Sequence, residues 1–176
     1  MTLLIMFLML ALVISFACSM WEAVLLSITP SYVTGAIADG SNTGKLLAEF
    51  KKDIDRPLAA ILTLNTTAHT VGAIGVGAQA NVVFGSSGLQ LFGTSLSFEA
   101  LIAAFATLAI LVCSEIIPKT IGASYWQRFV PFTVTSLKFL IIALYPLVRM
   151  SEGITQVLKK EGDRPVFSRT DFLAMA

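Results

Sequence analysis

Three long apolar runs constrain this chain more than any other feature. Thr2 to Ile28 is the first, with Glu22 as its only charged side chain. Leu58 to Phe84 and Phe98 to Ile117 are the second and third. A helix of about 20 apolar residues spans the hydrocarbon core of a bilayer. Only helices and closed barrels satisfy their backbone polar groups there. The runs therefore predict an all-α membrane protein with three transmembrane helices. Charged residues make up 13% of the chain, where about 25% is usual in a soluble domain. The first run does not read as a signal peptide. The first Lys or Arg is Lys45, and the run is longer than the roughly 7–15 apolar residues of a signal core. A net charge of +1 gives no reason to expect a nucleic-acid partner.

The basic residues set the expected orientation. The 29–57 connection carries Lys45, Lys51, Lys52 and Arg56, and the 85–97 connection carries none. The positive-inside rule places the first connection in the cytoplasm, the N-terminus outside and the C-terminus in the cytoplasm. A fourth apolar stretch, 129–148, holds Lys138 near its middle and Pro131 and Pro146 near its ends. A central Lys costs roughly 2.5–3.5 kcal/mol on insertion scales. Crossing there would also put a basic tail outside. The stretch is expected to lie on the cytoplasmic side as an interfacial or half-buried helix; a four-span arrangement is the alternative. In "GKLLAEFKKDI", Leu46, Leu47, Phe50 and Ile54 recur at helical spacing and predict a short amphipathic helix. The stretch 85–97 reads as a loop. Cys18 and Cys113 read as small buried residues rather than a disulfide or metal pair.

Polar groups inside a span are expensive, so each is a candidate functional residue. Ser15, Ser19 and Glu22 share one face of the first run. Serines can equally serve helix packing, and Glu22 can equally reach interfacial water. Asn65 and His69 share a face of the second run, with Thr63, Thr66 and Thr70 close by; interhelical hydrogen bonding is the plainer reading. Gly72, Gly75 and Gly77 suggest close packing or a break. The third run ends in "SEIIPKTIG". Pro118 has no N–H and cannot bond the carbonyl four residues back, that of Ser114. A freed carbonyl would then lie beside the Glu115 carboxylate, and Gly122 would permit further unwinding. The plainer reading is a kink with Glu115 paired to Lys119. Together these residues form a set of oxygen ligands suited to Mg²⁺, Ca²⁺ or Na⁺. No catalytic constellation accompanies them, so no enzyme is expected.

These motifs resemble those of the cyclin M/CorC family. "SEIIPKTIGA" is similar to its G-E-I-x-P-K signature. "SMWEAVLLSITPSYV" resembles its S-G-S-E-x-A-L-x-S…P-S stretch, and "RPLAAILTLNTTAHTVGA" its G-N-T-x-x-N motif. The resemblance implies a dimeric magnesium-transport domain, described as sodium-coupled export, in the inner cell membrane. It implies three spans, belted by juxtamembrane elements at 30–56 and 119–150, within a transport domain over 1–150. It implies metal ligands at Ser19, Asn65, His69, Ser114 and Glu115, with Ser15, Glu22, Thr66, Pro118 and Gly122 as secondary candidates. The tail, 151–176, would lead into a cytoplasmic CBS-pair domain beyond this chain. Partners would be a second copy, membrane lipid and that domain. The departures are Met20 and Trp21, Leu64, Ser114, and His69 at the second asparagine. Imidazole is a poor Mg²⁺ ligand and a better one for Mn²⁺ or Co²⁺. It could alternatively couple protons to transport. A cation-sensing membrane module that moves no ion is the alternative function.

Overall fold

The computed structural model describes residues 1–84, 88–91, 94–150 and 153. Helix α1 (Thr2–Ser27) is followed by α2 (Pro30–Ala38), α3 (Asn42–Lys52) and α4 (Asp55–Phe84). Strands β1 (Gly88–Leu91) and β2 (Thr94–Ser97) pair antiparallel, Gly88 opposite Ser97. Helix α5 (Phe98–Leu111) passes through a π turn (Val112–Ile116) into α6 (Ile117–Ser124), and α7 (Trp126–Ala143) comes next. The protein is a helical membrane domain, with the short hairpin standing where the sequence reads as a loop.

Three helical stretches are long and apolar enough to cross a membrane: Thr2–Ser27, Asp55–Ala80 and Ala100–Ser124. The third runs past the expected end at Ile117 because the π turn carries the helix through Pro118 instead of stopping it. The glycines of α4 do not break it. Gly72 and Gly75 are buried, and a Cβ on either would strike Ala11 or the Phe7 ring of α1. They are contact points, and small residues let helices approach closely where the solvent is lipid. Leu4, Val76, Ala80 and Ala106 complete an apolar core at this end of the bundle.

The other end is built differently. Ser41 caps α3, accepting from the Gly44 amide, and Thr29 caps α2 in the same way. Leu47 and Phe50 of α3 are buried, with Leu46 and Ile54 packed beside them. The α7 stripe Val130, Thr133, Val134, Leu137, Leu140 and Ile141 follows the helical repeat and is buried. Full burial of a Leu such as Leu47 or Leu137 contributes about 1.5–3 kcal/mol. Lys138 lies on the exposed face of α7. The helix stops at Leu144, and residues 145–150 are helical again. The α7 helix thus covers the ends of α1 and α4.

Candidate functional site

The site is set by the π turn. Its extra residue bonds the Ile117 amide to the Val112 carbonyl, five residues back. One added residue rotates the next helical segment by about 100° relative to an uninterrupted α-helix. The next amide in line would belong to Pro118, which has none. It would reach the Cys113 carbonyl in the π register or the Ser114 carbonyl in the α register. Ser114 is fully buried, whereas Cys113 is exposed, against the expectation that both cysteines are buried.

Ser114 begins a hydrogen-bond chain that joins all three spans. Its Oγ lies 2.6 Å from the Ile110 carbonyl and 2.9 Å from Ser15 Oγ on α1. Ser15 Oγ in turn lies 2.6 Å from His69 Nε2 on α4. A carbonyl only accepts and a hydroxyl has one proton. With the Ser114 proton on the Ile110 carbonyl, Ser15 donates to Ser114 and His69 Nε2–H donates to Ser15. This direction leaves Nδ1 as the ring atom with a lone pair. The plainer reading of His69, as an interhelical hydrogen-bonding residue, is therefore realised.

One helical turn along α1 the pattern changes. Ser19 is 1% exposed, and its hydroxyl has no partner. The Asn65 side-chain oxygen on α4 is also buried without one. An orphaned buried polar atom costs about 1–3 kcal/mol. Asn65, Glu22 and Asp55 line an open hollow of about 360 Å³, with Leu58, Ala59, Ile61 and Leu62. Oxygen donors of these kinds suit a hard cation. Among the described residues, no three His, Cys, Asp or Glu side chains gather as a metal cluster.

Lys119 stands over the two carboxylates. Its ammonium lies 3.1 Å from Glu115 Oε1 and 3.3 Å from Glu22 Oε2. The pairing of Glu115 with Lys119 was one of the two readings open in the sequence. That Glu22 joins them from another span was not legible there. Asp55 was missed because it sits in the charged run "KKDIDRP", which reads as a solvated surface.

The remaining candidates fall outside this group. Thr66 is exposed. Thr63 and Thr70 donate to the carbonyls of Ala59 and Thr66 on their own helix. Gly122 does not mark unwinding. It lies within α6, where a Cβ would come 2.9 Å from the Met20 carbonyl and 3.0 Å from Ala23 Cβ, so it lets α6 press on α1. Trp21 packs against Phe132 of α7, ring centroids 6.4 Å apart.

The chain matches the family model for the cyclin M transmembrane N-terminal domain over residues 4–176. It is also similar to the UPF0053 protein sll1254 of Synechocystis sp., 30% identical over 139 residues. The alignment takes in 78% of this chain and 37% of that relative, so the chain spans little more than a third of the relative's length.

Proposed function

The chain belongs to the cyclin M transmembrane family, and on that premise we propose that it carries a divalent cation, Mg²⁺ first, across the membrane. Two buried oxygens without partners carry the reading, Ser19 Oγ on α1 and Asn65 Oδ1 on α4. Ser19 shares α1 with Glu22, and Glu115 comes from the π turn of the third span. A partly dehydrated cation would take oxygens from these groups and from a carbonyl that Pro118 leaves unbonded. The carboxylates make a desolvated cation tolerable. Export coupled to Na⁺, a paired second copy, a CBS-pair domain following the tail and residence in the inner cell membrane belong to the same proposal.

His69 favours a second ion class. With Nε2 donating to Ser15, Nδ1 is the nitrogen that could bind a softer ion such as Mn²⁺ or Co²⁺. Flux of Mg²⁺, Mn²⁺ and Co²⁺ into proteoliposomes separates the two, using wild type, Glu115→Gln and His69→Asn. The proposal expects Glu115→Gln to lower flux about a hundredfold and His69→Asn to shift preference toward Mg²⁺. Saturable binding with no flux under any gradient would instead identify a cation-sensing module.

A further inference from the structure

Two carboxylates from different spans share a single ammonium. Glu22 comes from α1 and Glu115 from the π turn, and Lys119 Nζ reaches both, at 3.3 and 3.1 Å. Lys119 is held there by the same local backbone that makes the site. It follows Pro118 directly and sits four residues after Glu115, on the face that Gly122 lets press on α1. Glu22 in turn lines the hollow with Asn65, one turn from the orphaned Ser19 hydroxyl. A cation entering this hollow meets Glu22, whose carboxylate shares the Lys119 ammonium with Glu115.

Resting on the proposed transport reading, we propose that Lys119 is a tethered competitor that filters entering cations by charge. The reason is Coulombic. A monovalent ion that displaces the ammonium from Glu22 and Glu115 replaces one unit charge by another, and gains nothing from charge. It also competes with a group whose local concentration is fixed by the chain. A divalent ion brings twice the charge to the same two oxygens, and its attraction to each is doubled at equal distance. Mg²⁺ therefore displaces Lys119 where Na⁺ and K⁺ do not. The displaced ammonium needs only to swing on its four-carbon stem toward water. Its side chain is 40% exposed, so the way out is open. Lys119 need not touch the ion, and so acts on specificity through the two glutamates.

The test is equilibrium Mg²⁺ binding to the full chain in lipid nanodiscs, titrated with NaCl, for wild type, Lys119→Gln and Lys119→Arg. Lys119→Gln is expected to bind Mg²⁺ about tenfold more tightly in sodium-poor buffer. Raising NaCl is also expected to weaken its Mg²⁺ affinity by a larger factor than it weakens that of wild type, because no tethered ammonium already occupies the carboxylates. Lys119→Arg keeps the charge and is expected to retain the wild-type resistance to NaCl. Equal Mg²⁺ affinity and equal NaCl sensitivity in wild type and Lys119→Gln would overturn the charge filter while leaving the transport reading intact. Weaker Mg²⁺ binding in Lys119→Gln would also overturn it. Absence of Mg²⁺ binding in wild type would overturn both readings together. Should Lys119→Gln fold poorly, Lys119→Arg with a wild-type fold and the NaCl sensitivity expected of Gln would equally refute it.

Discussion

The helices α1 and α4 meet along their whole length, but their two ends are built on opposite rules. At one end Ala11 and Phe7 lie against Gly72 and Gly75 so closely that one added carbon on either glycine collides. Val76 and Ala80 continue that seam, buried and apolar. At the other end the same two helices present Ser19, Glu22, Asp55 and Asn65, with the Ser19 and Asn65 oxygens buried without partners and a hollow lined by Glu22, Asp55 and Asn65. The hydrogen-bond chain of His69, Ser15 and Ser114 lies at the boundary. On one side of it the interface is shut by van der Waals contact, and on the other the interface is polar and open. A hollow against the closed half, about 140 Å³ and lined by Phe7, Leu10, Ile14 and Val71, makes the contrast sharper. Its one hydroxyl, Thr67, already donates to the Thr63 carbonyl at 2.7 Å. The two hollows thus differ in chemistry as well as in size: the Asn65 oxygen without a partner belongs to the open one.

Two substitutions should separate the halves cleanly. Glu115→Gln acts on the open half. It removes the charge while keeping the shape, and should lower divalent-cation flux about a hundredfold, the loss of roughly 1.5–3 kcal/mol of charge-assisted interaction. The thermal midpoint in detergent should move little, because a half-exposed ion pair contributes about 1 kcal/mol or less. Gly72→Val acts on the closed half. Its branched side chain must push Ala11 away, and overpacking of this kind costs about 1–3 kcal/mol, read as a lowered thermal midpoint. A Gly72→Val protein with unchanged midpoint, or a Glu115→Gln protein that unfolds early, would show that the two halves are not distinct in the way described.

The boundary itself gives a smaller effect. Ser15→Ala takes the middle link from the chain, leaving His69 Nε2–H without its acceptor and Ser114 Oγ without a donor, though Ser114 still donates to the Ile110 carbonyl. Interhelical hydrogen bonds in membrane proteins are worth about 1 kcal/mol, so Ser15→Ala should lower stability by about that much. The His69 ring proton should show it more directly. Its NMR signal is expected to be slow to exchange in wild type and fast in Ser15→Ala. Slow exchange in both would mean that the ring proton is held elsewhere.

The sequence carried much of this and missed identifiable parts. The spans were legible because apolar length is a one-dimensional property. The amphipathic α3 was legible from the spacing of Leu46, Leu47, Phe50 and Ile54. Ser19, Asn65 and Glu115 stood out because polar groups in apolar runs are costly. The π turn was not legible. Pro118 signals a disturbance, but whether the chain kinks, unwinds or absorbs one extra residue depends on what α1 offers at Gly122. Gly72 was ambiguous for the same reason, since a glycine that breaks a helix and one that admits a neighbour look alike in sequence. The link from Glu22 to Lys119 joins residues far apart in the chain, and no spacing rule reaches it.

The finest test of the contrast lies at Ser19. In a finished apolar interface, trimming a buried side chain costs stability. Here the hydroxyl is 1% exposed and has no partner, so the folded protein already bears its desolvation. Ser19→Ala removes the orphaned oxygen and leaves the Cβ in place. Stability should stay level or rise by up to about 1 kcal/mol, because a buried polar atom without a partner is worse than none. On the proposed transport reading, cation binding should weaken at the same time, since the proposed site loses one oxygen. Opposite signs in stability and binding from a single atom are what an ion-binding position requires, and a packing position would give a loss in the first with no change in the second. Calorimetry and Mg²⁺ titration of the same purified sample read both. A Ser19→Ala protein that is less stable and binds Mg²⁺ as wild type does would move Ser19 from the open half of the interface to the closed one.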